Sequence, residues 1–213
     1  MSKSLFKKCR WFSLVLLSSA LLVSCDRLLT PDFNTDITEL RSGQYTLDKD
    51  HAALLFKINH LGFSTFIGRF TAFDASLDFD PENIQNSSVE VVIDMNSINV
   101  NLPEFEEELR GGDWLDAVQF PQAVYKTTGY VGANGENSHT FAGELTFHGV
   151  AAPVNMNVTF NGGGRNFLTR KYTLGFEAET TFLRSAHGAD RFTNFGVGDE
   201  ISLEVHVEFQ ANE

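Results

Sequence analysis

The chain has 213 residues, 42% of them hydrophobic, and carries 16 basic against 28 acidic side chains for a formal charge of −12 at pH 7. So negative a surface is repelled by nucleic-acid phosphates and by anionic headgroups, which excludes nucleic-acid binding. The length beyond the N-terminal segment suffices for one hydrophobic core and makes two domains improbable.

Residues 1–24 read as an export signal, outside the fold. "MSKSLFKKCR" is basic through Lys3, Lys7, Lys8 and Arg10, and "WFSLVLLSSALLV" is an apolar run too short to cross a bilayer comfortably as a helix. "LLVSC" resembles the bacterial lipoprotein box, which implies acylation (palmitate-type chains) of Cys25; an ordinary secretory signal is the alternative. Losing the signal's four basic residues leaves 12 basic against 28 acidic side chains, a balance of −16. The expected location is the periplasm-facing surface of a membrane. Asp26 resembles an inner-membrane retention signal of enteric-type sorting, a rule that other bacteria do not reliably follow, so inner and outer membrane both stay open. Residues 25–42 are expected to form a lipid-anchored tether and residues 43–213 the folded domain. With Cys9 in the signal and Cys25 at the lipid site, that domain has no disulfide and no thiolate metal site.

From residue 43 the dominant period is two. "VNMNVTFN" places Val154, Met156, Val158 and Phe160 on one face and asparagines and a threonine on the other; "ISLEVHVEF" sets Ile201, Leu203, Val205, Val207 and Phe209 against Ser202, Glu204, His206 and Glu208. "VEVVIDM", "YKTTGYV", "TFAGELTF" and "YTLGFEAETTF" follow the same rule. Turn signals separate them at Pro81-Glu82-Asn83 and Gly132-Ala133-Asn134-Gly135, and "NGGGRN" reads as a hairpin turn because it lacks the Lys-Ser/Thr of a phosphate loop. About eight such strands point to an all-β sandwich or up-and-down barrel. One interruption, "LPEFEEELRGGDWLD", has Pro103 near its start, acids in its first turn and Gly111 after its end, the punctuation of a short helix. The 20 phenylalanines of the chain, mostly on apolar strand faces, suit a barrel with contents as well as a filled core.

Several segments resemble, in order, the YceI-like family, a lipocalin-like bacterial domain also described as polyisoprenoid-binding. They are "YTLDKDHAALLFKINHLGFSTFIGRF", "DWLDAVQFPQAVYKTTGY", "FAGELTFHGVAAPV", "FLRSAHGA" and "VGDEISLEVHVEFQA", together covering residues 43 to 211. The resemblance implies an eight-stranded antiparallel lipocalin-like barrel with a long apolar pocket and one or two short helices near its mouth. It implies binding or carriage of an amphiphilic, apolar-tailed lipid, a polyisoprenoid or an isoprenoid quinone, with no established chemistry. One departure is His187, where the family usually has Phe, Trp or Tyr.

The expected lining residues are Phe56, Ile58, Phe70, Phe147, Val158 and Phe176, with His60 and Phe63 at the pocket mouth and Arg184 near the cavity. Periodicity alone does not say which apolar face looks inward. His51 and His60 are nine apart, an odd offset that sends them to opposite sides of an uninterrupted strand, so no shared metal is expected. Arg69 and Arg184, near an apolar cavity, are expected either to meet a ligand's polar headgroup or, the preferred reading, to pair with acids on the barrel. No G-x-S-x-G or H-E-x-x-H signature is present, and no enzyme is expected. Two other readings stand beside the carrier: a cofactor-binding or redox-related protein using His51, His60 or His148, and a structural interaction protein with a filled core. Expected partners are an isoprenoid-type lipid and the membrane, and an oligomer is compatible with the sequence.

Overall fold

The computed structural model describes residues 32–212. The signal segment, Cys25 and the first part of the expected tether lie outside the described residues. In chain order the strands are β1 (Asp32–Asn34), β2 (Gly43–His60), β3 (Ser64–Phe70), β4 (Phe73–Phe79), β5 (Ser88–Asp94), β6 (Ile98–Asn99), β7 (Gln122–Ala133), β8 (Ser138–Phe147), β9 (Val150–Arg165), β10 (Tyr172–Leu183) and β11 (Val197–Ala211). The helix α1 (Pro103–Arg110) lies between β6 and β7.

All pairings are antiparallel. The ring runs β2, β4, β5, β7, β8, β9, β10, β11, and β11 pairs back onto β2 to close it. This is the eight-stranded barrel that alternation and resemblance predicted. The long strand β2 is shared: its first residues pair with β4 and its second half with β3, so β3 and β4 act as one strand broken at Thr71 and Ala72. The bend has a local cause. Asp48 to His51 bulge opposite the single residue Glu208 of β11, and such an insertion kinks a strand and raises its twist.

One pole is closed and the other is a mouth. At the closed pole Tyr45, Phe79, Phe160, Phe176 and Phe209 pack in edge-to-face contacts, with Tyr45 and Phe79 centroids 6.3 Å apart. Burial pushes the Tyr45 phenol up to about 12, and its hydroxyl donates to the Arg41 carbonyl at 2.6 Å. At the mouth α1 lies beside β6 and turns Phe105 and Leu109 inward. These two are four apart and share one helix face, while Glu104 and Glu107 stay exposed. Among the described residues no helix is long and apolar enough to cross a membrane.

Two expectations are corrected. Residues 32–42 are docked on the barrel and not free: β1 pairs with the end of β9, Leu40 is buried in the closed-pole core, and Ile37 packs against it. "NGGGRN" is also no hairpin turn. Gly162–Gly164 belong to β9, and the turn follows at residues 166–171. Missing side chains are the reason: a Cβ at Gly162 would lie 2.0 Å from Phe33, and one at Gly163 2.5 Å from Leu174.

The docked segment makes a prediction that a tether does not. Leu40→Ala should destabilise the protein by about 3 kcal/mol through the lost contacts and the cavity it leaves. Urea unfolding of the two proteins measures this, and coincident midpoints would return residues 32–42 to the status of a linker.

Candidate functional site

Inward-facing residues of the closed sheet line two chambers stacked along its axis. The upper chamber, below the mouth, has a volume of about 410 Å³, within the range of small-molecule sites. The lower one has about 100 Å³. Strand after strand divides its inward residues between them: β5 gives Ile93 above and Val91 below, β7 Ala123 and Tyr125, β11 Leu203 and Val205. The two chambers are therefore successive levels of one apolar interior. The centre of the barrel is not filled, which removes the filled-core reading.

The structure brings Phe56, Ile58, His60, Phe70, Phe147 and Arg184 together on the wall of the upper chamber. Val158 and Phe176 line the lower one. Phe63 is corrected as a cavity residue: it lies in the β2–β3 turn beside the mouth, 88% exposed, and lines neither chamber. Strand alternation ends at His60, so it carries no information about a residue beyond it. Lining residues that strand periodicity misses are Met95, Ile98, Phe105, Leu109, Trp114 and Phe192. For Phe105 and Leu109 the available signal was their spacing of four on an acidic helix.

Charged groups at the mouth are held by the protein itself. Arg184 donates to three backbone carbonyls, from Nε to Gly198 at 2.8 Å, Nη1 to Ala189 at 2.6 Å and Nη2 to Val197 at 3.3 Å. It fastens the β10–β11 connection, and its partners are carbonyls in place of the expected carboxylate. Burial lowers its pKa from the ordinary value. Arg69 likewise donates to an amide, Asn99 Oδ1, at 3.1 Å. Arg191 pairs with Asp113 at 2.8 Å and lies over the Phe192 and Trp114 rings.

His51, His60, His148 and His187 occupy four separate environments. His51 is on the outer face, where its Nδ1 meets Asp48 at 3.0 Å; that carboxylate raises the pKa of the imidazole. Asp48, His51 and Glu208 bring ligand-type atoms within 4.8 Å of one another, but Asp48 is already engaged by His51 and by Gln210. His60 is at the mouth, 6.2 Å from the Phe66 ring. His148 sits in the tight β8–β9 turn with φ 50°, its ring tilted against Phe120 at 4.7 Å. His187 is buried behind the upper wall, edge-on to Phe147 and Phe182 at 5.7 and 5.3 Å, with its Nδ1 2.9 Å from the Val150 carbonyl. Its ring thus packs as an aromatic residue would there and adds one hydrogen bond.

Among the lower chamber's polar residues, burial pushes the Tyr125 phenol up to about 12 and lowers the pKa of His139. The latter has a sign. An unfolded histidine titrates near 6.5, and the folded one resists protonation. Its contribution to stability is complete above about pH 6.5 and is lost as pH falls below that towards the lowered folded value. His51, with its raised pKa, works in the opposite sense, but equally in a variant that retains it. His139→Asn should therefore lose less stability than the parent between pH 7.5 and 5.5 in equilibrium unfolding; equal losses would refute the assignment.

Residues 45–209 match the model of the YceI-like domain. A UPF0312 protein of Vibrio cholerae is 33% identical over 169 residues, spanning 78% of this chain and 87% of its own length. Among solved structures, Burkholderia cenocepacia BcnA superposes with a TM-score of 0.68 at 25% identity, covering 76% of this chain and 98% of that one. A polyisoprenoid binding domain from Saccharophagus degradans shares the fold at a TM-score of 0.58 and 12% identity, covering 79% and 98%. The match over residues 45–209, most of the barrel, places this chain in the YceI-like family.

Proposed function

We propose that this protein binds and carries an apolar-tailed lipid, a polyisoprenoid or isoprenoid quinone, by sequestering its hydrocarbon inside the barrel. The observation that carries the reading is the upper chamber, walled almost wholly by apolar side chains and opening at one pole. Each buried methylene is worth roughly 0.8 kcal/mol, so a few isoprene units supply ample gross driving force before affinity saturates against lost ligand freedom. The ligand class follows that of the S. degradans domain, which shares the fold. Function on this reading is binding and release, with no bond made or broken.

Export to a periplasm-facing membrane surface, with acylation at Cys25, is part of the same proposal. Asp32 is seven positions beyond Cys25, a span of about 25 Å at most, so an anchor would act at the closed pole. A second contact supports loading from a bilayer. Two loops on one side of the mouth are joined by the Leu61 N–H to Gly196 carbonyl bond at 3.0 Å. They expose Phe63 and Phe195, 88% and 75% accessible, and residues 61–65 and 192–198 carry no charge. An apolar, uncharged edge of this kind suits shallow insertion into neutral lipid.

Organic extraction of the purified protein should release an isoprenoid lipid identifiable by mass spectrometry. Ala123→Phe, which fills the middle of the upper chamber, should lower the yield at least tenfold. Extracts of the parent without lipid would remove the carrier reading. In sedimentation with phosphatidylcholine vesicles, Phe63→Ser with Phe195→Ser should weaken association at least tenfold, from the apolar area withdrawn. Added salt should change little. Undiminished binding of the double variant would discount the rim.

A further inference from the structure

The lower chamber holds two buried polar atoms that make no hydrogen bond of ordinary geometry within the protein. Tyr125 is 3% exposed, and its buried hydroxyl makes no hydrogen bond of ordinary length and angle, although the Thr127 side chain is near enough to interact with it. Nε2 of His139 is buried and unpartnered. Both side chains line the same small space. Its other polar groups are better placed: Ser87 Oγ accepts from the Asp80 N–H at 2.9 Å, and Thr127 Oγ1 accepts from the Val89 N–H at 3.1 Å. A buried polar atom left without a partner costs about 1–3 kcal/mol, so two in one apolar chamber call for an occupant.

Position and chemistry restrict that occupant. The lower chamber continues the upper one away from the mouth, so a guest that reaches it leads with one end of an extended chain. Volume admits only a few heavy atoms. No cationic side chain lines it other than His139, whose ring is kept neutral by burial; a phosphate would meet no counter-charge there. His139 Nδ1 is 3.1 Å from the Tyr130 hydroxyl, and in either tautomer its Nε2 has one hydrogen bond to give or accept. A phenol does both. At the other pole Arg184 donates to three backbone carbonyls and Arg191 pairs through Nη1 with Asp113, while its Nε is buried without a partner; a donor there is cationic, unlike the two neutral groups below.

We propose that the lower chamber is a binding site for an uncharged oxygen, a hydroxyl or carbonyl, on the leading end of an apolar guest, received by Tyr125 Oη and His139 Nε2. The proposal rests on the carrier reading and adds to it an orientation: oxygen inward, hydrocarbon trailing to the mouth. Gly143 belongs to the site, because a Cβ there would lie 2.3 Å from the Tyr125 hydroxyl and displace it.

Farnesol and the hydrocarbon farnesene, of equal carbon number, separate the possibilities. Both should displace a fluorescent apolar reporter from the full chain. Tyr125→Phe should weaken farnesol about tenfold and leave farnesene unchanged, without lowering the unfolding midpoint, because it removes a hydroxyl that makes no ordinary hydrogen bond and little else. In the ¹⁵N spectrum of histidine-labelled protein, farnesol should shift His139 Nε2 and farnesene should not. Equal effects of Tyr125→Phe on both probes would overturn the site, as would farnesol binding with His139 Nε2 unmoved, or a farnesol complex whose lower chamber holds water only. Failure of both probes to bind the parent would instead overturn the carrier reading on which the site depends.

Discussion

Hydrogen bonds between β11 and β2 run from the Val197–His60 pair to the Ala211–Tyr45 pair, and they leave the sheet without a free edge along that seam. A closed sheet has one inside, so every alternating strand is compelled to send the same set of side chains to it. Were the seam to slip by one residue, Glu204, His206 and Glu208 would enter the apolar interior in place of Leu203, Val205 and Val207. The cost of burying those charges holds the register. The barrel's stability and its capacity to enclose hydrocarbon are thus consequences of one pairing.

Hollowness comes from the shapes on that inner face. Large rings crowd the closed pole and meet edge to face, whereas the level of Ala123 and Leu203 is lined by smaller side chains. Where one ring needs more room, the opposing position is glycine, as at Gly143 beneath Tyr125. Space is therefore distributed by substituting small for large at fixed levels, without changing the strands themselves. Tight packing below and slack above place the larger void at the mouth.

Much of this could be read from the chain alone. Val154, Met156 and Phe160 are inside and Asn155 and Asn157 outside, as period two requires. The helix starts at Pro103 and stops before Gly111, where local punctuation placed it. What remained illegible depended on contacts between distant segments. Nothing near Leu40 reports that it will meet Leu174, and nothing in "NGGG" reports that its missing side chains make room for Phe33. Phe56 and Phe63 are the same residue type seven positions apart; one is in the wall and the other in solvent because the strand ends between them. Arg184 resembled a group awaiting an anion, but its donors are taken by carbonyls that the β10–β11 connection presents only once folded.

Asp32 and Asn212, the two limits of the described chain, both lie at the closed pole: β1 joins the end of β9, and the Asn212 N–H donates to the Gln44 carbonyl at 3.0 Å. The opening is thus at the pole opposite both limits of the described chain. Fluorophores, fusion partners or surface-coupling groups attached at that base would leave the aperture unobstructed, so this barrel can be immobilised in a uniform direction with its interior still accessible from solution.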